Sequence, residues 1–213
     1  MPALLLADDF WFCAHDDVSG RCRLGPRAVG SGLAAALLAE LVLAGGVDIE
    51  NGEVVVVENR PPGEDVARAV FSEVAGEREV RAVREWLRYL GHHAYARVAH
   101  RLLRAGLVRS RSAGFLGRST VYPPVDVNVA AWPRARLGLS VPGRPRWADV
   151  PIHDVVLSGL VVATGLYPVV FPDAPASTRD HVDGLVARLP RPLRALVVDT
   201  DTAMGVAVLH HRI

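Results

Sequence analysis

The stretch VGSGLAAALLAELVLAGGVDIEN, residues 29–51, decides the fold. From Leu33 to Ala44 it consists of Ala, Leu and Val apart from one acid, and no helix breaker interrupts these residues. Ser31 or Gly32 can cap its start, and Gly45-Gly46 supplies a left-handed stop. A helix that is apolar on nearly all sides belongs in the middle of a bundle. At about 12 residues it is shorter than the roughly 20 that cross a bilayer, so we interpret it as the central helix of a soluble domain.

The charge of the chain is distributed unevenly, although the net charge of the 213 residues is only +1. Half of the residues are hydrophobic, which argues against disorder, and the length suits one domain over residues 1–213. All 24 basic residues other than histidine are Arg. Ten of them lie between residues 78 and 118 with only two acids, whereas the first 77 residues carry 13 acids and five Arg. The middle of the chain is therefore a cationic segment of guanidinium groups, which suit phosphate and carboxylate geometry.

Hydrophobic periodicity predicts a mainly α fold, a helical bundle with short β-hairpins. Asn51-Gly52 between two β-branched runs predicts the first hairpin. Apolar residues at helical spacing predict further helices over residues 64–73, 79–90, 94–103, 152–166, 177–189 and 202–209. Residues 125–151 are rich in Pro, Trp and Arg and predict an irregular connector with one short helix.

The cationic segment predicts a surface for anionic membranes. In the helix over 94–103, Arg97 and Arg101 recur opposite the apolar stripe, on the side that faces solvent. Each basic residue near an anionic bilayer contributes roughly 1 kcal/mol of attraction. The sequence therefore predicts an anionic membrane lipid as the partner of this face.

A second hairpin, over residues 108–122, is predicted to insert into the bilayer. Its tip carries Phe115 and Leu116 between glycines, with Arg111 and Arg118 on either side. Apolar side chains on an exposed turn cost free energy unless something covers them, and a membrane would cover this tip. We therefore predict membrane contact by these four residues.

Three alternatives stay open at this point. The tip of the hairpin could pack inward while the arginines pair with the acidic first third of the chain. A helix followed by a hairpin with Arg near its tip is also typical of winged-helix nucleic-acid modules, but the near-neutral whole chain argues against nucleic acid. The hairpin 108–122 could instead form a homodimer in a protein-interaction scaffold. The acid pair Asp8-Asp9 is interpreted as capping and solvated, and no motif predicts catalysis, a metal or a cofactor.

The order of the motifs resembles that of the Golgi phosphoprotein 3-like domain family. Glu40-Leu41-Val42-Leu43 with Gly46 is similar to the ELxLxG stretch that ends a small-residue helix in that family. Residues 62–66, PGEDV, are similar to its PxGDxxLDEAL helix start, and residues 97–108 to its RxxLVxxGxL segment before a hydrophobic hairpin. The resemblance implies a mostly helical, non-enzymatic domain without a cofactor, and this compact chain is similar to a bacterial-type member.

The resemblance also implies a lipid site. Eukaryotic members are peripheral membrane proteins that bind phosphatidylinositol 4-phosphate, which implies a cytoplasmic protein on the inner face of the membrane here. Their headgroup pocket uses a Trp and an Arg around the core helix and two Arg before the RxxLV segment. Those positions are Gly25, Ala34, His92 and Tyr95 in this chain, so the resemblance does not name the headgroup. The nearby side chains that it implies for headgroup binding are Arg27, His92, His93, Arg97 and Arg101.

Overall fold

The computed structural model describes residues 4–58, 62–113, 119–142 and 150–209. Its fold is mainly α, as the sequence predicts. The helices are α1 (Leu6–Ala14), α2 (Pro26–Leu43), α3 (Asp65–Gly76), α4 (Val83–Arg104), α5 (Val127–Ser140), α6 (Ile152–Ala163), α7 (Tyr167–Val170), α8 (Ser177–Val186) and α9 (Arg191–Leu209). The strands are β1 (Val47–Glu50), β2 (Glu53–Val56), β3 (Arg81–Ala82), β4 (Arg111–Ala113) and β5 (Ser119–Val121).

Helix α2 is the central helix that the Ala/Leu run predicts, and it contacts α1, α3, α4, α6 and α9. It has 18 residues rather than about 12, because Pro26 and not Ser31 begins it. Proline suits a first helical position, since its φ is fixed and it has no N–H to leave unpaired. Gly45, with φ at 75°, ends the helix as predicted. By length and composition alone α2 could cross a membrane, but 67% of it is buried among the other helices of this structure.

The glycines at the start of α2 let two neighbours approach closely. A Cβ atom at Gly30 would lie 2.5 Å from the carbonyl oxygen of Gly91 in α4. A Cβ atom at Gly32 would lie 2.2 Å from the ring of Phe10 in α1. Real Cβ contacts are longer than these, so only glycine fits at Gly30, where the obstacle is backbone, and a larger residue at Gly32 would require the buried Phe10 ring to shift. The small residues of this segment therefore set the packing of α1 and α4 on the central helix.

Helix α4 differs from the prediction, which places two helices over 79–90 and 94–103. The structure has one continuous helix from Val83 to Arg104. Gly91 in its middle reads as a break in sequence, but it is where α4 packs against α2. The tertiary contact therefore overrides the low helix propensity of glycine.

Both predicted hairpins form. Strands β1 and β2 pair antiparallel around Asn51 and Gly52, whose φ values of 52° and 82° are those of a type I′ turn, and β3 adds a third strand. Strands β4 and β5 pair as the second hairpin, and the tip residues 114–118 lie outside the described residues. Arg111 and Ser112 are both exposed although they point to opposite faces, so this part of the hairpin projects from the helices.

Several helix bounds differ from the predictions in the second half of the chain. Helix α5 occupies most of the predicted connector, and its Pro133 is buried inside the helix. Helix α9 begins at Arg191, well before the predicted start at residue 202, and α6 ends at Ala163 rather than at residue 166. Pro133 and Pro192 suggest loops in the sequence, but Pro133 lies within α5 and Pro192 in the first turn of α9.

Candidate anion-binding cleft

A cleft of about 950 Å³ opens between the N-terminus of α2, the first half of α4 and the end of α9. Gly91, at the crossing of α2 and α4, is part of its wall. The full lining is Cys22, Leu24, Pro26, Arg27, Val29, Ser31, Arg84, Leu87, Arg88, Gly91, His92, Tyr95, Thr202 and Ala203.

Helix α4 supplies a row of cationic and aromatic side chains to this cleft. Arg84, Arg88, His92 and Tyr95 follow each other at intervals of three or four residues, so they share one face of the helix. Arg84 lies 3.6 Å from Asp199 of α9, and its side chain is 62% exposed. In the described part of the chain Arg88 has no carboxylate partner.

The N-terminus of α2 adds positive potential at the same place. Gly25 is its N-cap, and no side chain caps the free N–H groups of the first turn. Arg27, in that first turn, is exposed and forms no ion pair with a described residue. A cation there opposes the helix macrodipole, whose positive end lies at the N-terminus. An anion in the cleft would offset this repulsion and would accept hydrogen bonds from the uncapped N–H groups.

The second half of α4 is electrically different, because its arginines are paired. Arg97 contacts Glu73 of α3, and Arg104 contacts Asp65 at 2.8 Å. Arg101 is only 6% exposed, although the sequence predicts it on the solvent face. The expectation that Arg97 and Arg101 reach a lipid headgroup is therefore not kept: both guanidinium groups are held by carboxylates of the acidic first third of the chain.

Arg101 is the centre of a buried ionic network. Its Nε donates to Asp8 Oδ1 at 2.9 Å, and its two Nη atoms donate to the two oxygens of Glu40 at 3.1 and 3.2 Å. Glu64, the N-cap of α3, lies 3.4 Å from Nη1. The interpretation of Asp8-Asp9 as capping is confirmed for Asp8, which accepts from the Leu5 backbone N–H at 3.2 Å, but the interpretation as solvated is wrong: Asp8 is 6% exposed, and Asp9 is 1% exposed. One guanidinium group thus connects α1, α2, α3 and α4.

Asp9 belongs to a second network on the other side of α1. Arg136 of α5 contacts Asp9 at 2.7 Å and Asp154 of α6 at 2.8 Å. His153 also lies 2.7 Å from Asp9. Neighbouring acids on α1 therefore fix α4 on one side and α5 with α6 on the other.

Burial shifts the pKa values of two acids in the Arg101 network. Burial raises the pKa of Asp8 above its usual value, and Arg101 offsets only part of this effect. Burial likewise raises the pKa of Glu40, again against the opposing charge of Arg101. Removal of these two carboxyl groups from water is the main cause of this direction, and the charge and hydrogen bonds of Arg101 oppose it without cancelling it.

An aromatic cluster lies behind the cleft. Trp11 stacks on His15 with ring centroids 4.0 Å apart, and Tyr95 and Tyr122 pack around them. His15 Nδ1 donates to the carbonyl oxygen of Trp11 at 2.8 Å, so its Nε2 accepts from the Tyr95 hydroxyl at 3.2 Å. Burial lowers the pKa of His15 to about 4. The imidazole is therefore neutral at neutral pH.

This neutral histidine predicts a loss of stability in mild acid. Between its unfolded pKa of about 6.5 and its folded pKa of about 4, only the unfolded chain takes up a proton, so stability falls as pH falls. From pH 7 to pH 5 the contribution of His15 is expected to drop by about 2 kcal/mol. Urea unfolding of the wild type and of His15→Gln at both pH values measures it: the gap between the two proteins should shift by this amount. An unchanged gap would contradict a neutral buried His15.

The structure brings two of the predicted headgroup residues into the cleft, Arg27 and His92. His93 is exposed and follows His92 on α4, but it does not line the cleft. Of the predicted membrane-contact residues, Arg111 is exposed on β4. Phe115, Leu116 and Arg118 lie outside the described residues, so their contacts stay a prediction.

Sequence reasoning missed Arg84 and Arg88 as site residues. Their signal is present in the spacing with His92 and Tyr95, but it appears only if residues 83–104 are read as one helix. Splitting the segment at Gly91 separates the arginines from the histidine that shares their face.

Together these features define a helical domain with a cationic cleft at the start of its central helix, in which Arg27 and Arg88 have no carboxylate partner among the described residues. The chain belongs to the Golgi phosphoprotein 3 (GPP34) family, whose model matches residues 6–204. This is not a family of enzymes. No curated protein matches the chain.

Proposed function

We propose that this protein is a peripheral membrane protein that binds an anionic phospholipid, with a headgroup of the phosphatidylinositol phosphate type, in the cleft. The observation that carries the proposal is the contrast along α4. Its second half has arginines paired with acids, whereas Arg88, together with Arg27 of α2, faces the cleft without a carboxylate partner in the described residues. Unpaired guanidinium groups beside an uncapped helix N-terminus are suited to a phosphate.

The cleft lies near the positions that the family resemblance implies. His92 and Tyr95 line it, and Gly25 is the N-cap beside it, whereas Ala34 is fully buried within α2. The two arginines that the family has at the positions of His92 and Tyr95 are absent. We propose that Arg88, one helical turn before His92, supplies the positive charge instead, so the headgroup sits differently here.

The second hairpin is proposed as an additional membrane contact. At its base, just after α4, Val108 pairs with Pro124. The backbone N–H of Tyr122 donates to the carbonyl oxygen of Gly20, which lies between α1 and α2. The base of the hairpin therefore lies beside the loop that leads into α2 and beside Tyr95 of the cleft, with ring centroids of Tyr122 and Tyr95 6.1 Å apart. We propose that its tip, with Phe115 and Leu116 beside Arg111 and Arg118, contacts the inner face of the membrane from the cytoplasm.

Two alternatives have less support. A winged-helix mode would need Arg97, Arg101 and Arg104 to face phosphates, but these side chains pair with carboxylates. Dimerisation through hairpin 108–122 remains a prediction. It would not explain the cationic cleft, because a hairpin that forms a dimer needs no lipid.

Vesicle binding of single-charge variants tests the proposal. Arg27→Gln and Arg88→Gln each remove one charge-assisted contact, and each is expected to weaken binding to vesicles containing phosphatidylinositol 4-phosphate or phosphatidylserine by about tenfold. Co-sedimentation with vesicles of these lipids in phosphatidylcholine, with phosphatidylcholine alone as the blank, measures the change.

The matched control is Arg179→Gln, because Arg179 is exposed on α8 and does not line the cleft. It removes the same charge from the chain and is expected to bind vesicles like the wild type, apart from the general charge effect. Equal binding by all three variants would show that the proposed headgroup site is wrong. A wild-type protein that did not bind anionic vesicles would contradict the proposal in the same way.

A further inference from the structure

The cleft is larger than a phosphate group requires. Its volume of about 950 Å³ is at the upper end of the roughly 300–1,000 Å³ found for pockets that enclose whole small molecules. The cationic side chains that would hold a phosphate account for only part of its wall. The rest of the wall is therefore available to contact a part of the ligand other than the anion.

That remaining wall is mainly apolar, and its polar side chains, Cys22, Ser31 and Thr202, are uncharged types. Its floor is formed by Val29 and Leu87, which are 3% and 1% exposed. Leu24, Tyr95 and Ala203 are half-buried in the cleft, so apolar surface there is left uncovered in a concave place. Covering such surface is favourable by roughly 25 cal/mol for each Å² removed from water.

The polar atoms on this side are already occupied or neutral. The hydroxyl of Tyr95 donates to His15 Nε2, which leaves the ring as its contact surface toward the cleft. The hydroxyl of Thr202 donates to the carbonyl oxygen of Val198 at 2.9 Å. Burial raises the pKa of the Cys22 thiol, so it stays uncharged. This side of the cleft thus presents an apolar surface to a ligand.

We propose that the cleft binds an alkyl chain beside the anion, so that its ligand is a phosphate ester carrying an alkyl chain rather than a headgroup alone. The anion half of this inference rests on the proposed function. The alkyl half rests on Leu24, Tyr95 and the apolar floor. Such a chain belongs either to a lipid partly withdrawn from a bilayer or to a free single-chain amphiphile.

Titration calorimetry with a chain-length series tests the alkyl half directly. Inorganic phosphate, butyl phosphate, hexyl phosphate and octyl phosphate are compared below their micelle-forming concentrations. Affinity is expected to rise by about two- to fourfold for each added methylene that the cleft buries. Equal affinities for inorganic phosphate and all three esters would overturn the inference and leave the proposed headgroup site intact.

A pair of leucine variants locates the chain. Leu24→Asn is expected to flatten the chain-length dependence while the affinity for inorganic phosphate stays unchanged. Leu43→Asn is the matched control, since Leu43 is 41% exposed at the other end of α2, and it should retain the full dependence. A dependence that survives Leu24→Asn would overturn the inference, because the chain would then lie elsewhere. The wild-type series is informative on its own if a variant unfolds.

Two further measurements separate the ligand sources and the two proposals. Octyl phosphate that releases the protein from anionic vesicles supports a shared cleft for bilayer lipid and free amphiphile. Octyl phosphate that binds without releasing it supports a free amphiphile as the ligand. Octanol that binds as tightly as octyl phosphate would contradict the anion site of the proposed function, while the apolar subsite would be supported.

Discussion

Arg101→Met is expected to lower the free energy of unfolding by about 3–5 kcal/mol, because it removes one partner of a buried ionic network. Asp8 and Glu40 would keep their burial and lose their guanidinium partner. Methionine replaces the aliphatic part of the arginine side chain but none of its five donors. Urea unfolding followed by circular dichroism at pH 7 measures the change.

The control for this prediction is Arg104→Met, one turn further along α4. Arg104 also forms an ion pair, with Asp65, but the two side chains are 47% and 59% exposed. An exposed pair contributes little because water screens its charges, so this variant should remain close to the wild type. A similar, small loss in both variants would show that the Arg101 network is not structural.

The deficit of Arg101→Met is also expected to depend on pH. The pKa values of Asp8 and Glu40 are already raised in the folded state, and without Arg101 they rise further. At these two carboxyl groups the folded variant then binds protons more readily than the unfolded chain, so their contribution to its stability increases as pH falls, and more than in the wild type. The gap to the wild type should therefore be smaller at pH 5 than at pH 7.

The part of the fold that the sequence predicts well is the part that local residues determine. The Ala/Leu run gives α2, and Asn51-Gly52 gives the first hairpin, because both depend on propensity and turn geometry alone. Helix α5 is predicted only as one short helix in an irregular connector because Pro133 suggests a loop, and α4 is divided because Gly91 suggests a break. Each of these two residues is accommodated by packing that no local pattern contains.

The candidate site is predicted in part for a related reason. Arg27 and His92 are predicted because they lie at or near positions that the family resemblance implies, and both line the cleft. The pairing of Arg101 with Asp8 joins residues 93 positions apart, and periodicity alone places that arginine outward. Charge counts correctly identify an excess of arginine, but only the fold shows which guanidinium groups remain free to bind a ligand.

Gly30→Leu is expected to lower the free energy of unfolding by about 3 kcal/mol, the upper end for overpacking. The new Cβ would lie 2.5 Å from a backbone oxygen of Gly91, which cannot rotate away as a side chain would, so α2 and α4 must separate. That separation also moves Arg27 away from Arg88 and His92. We therefore expect at least a tenfold weaker binding to anionic vesicles, even at temperatures where the variant remains folded.

The matched control is Gly184→Leu in α8, where a Cβ atom would meet nothing within 4 Å. Leucine there should be neutral or stabilise by up to about 1 kcal/mol through helix propensity, with no change in vesicle binding. Thermal unfolding and co-sedimentation of both variants separate the two effects. A folded Gly30→Leu protein that bound vesicles like the wild type would show that the spacing of α2 and α4 does not set the lipid site. The glycine contact would then serve packing alone, and the cleft would have to bind its anion through groups that this crossing does not position.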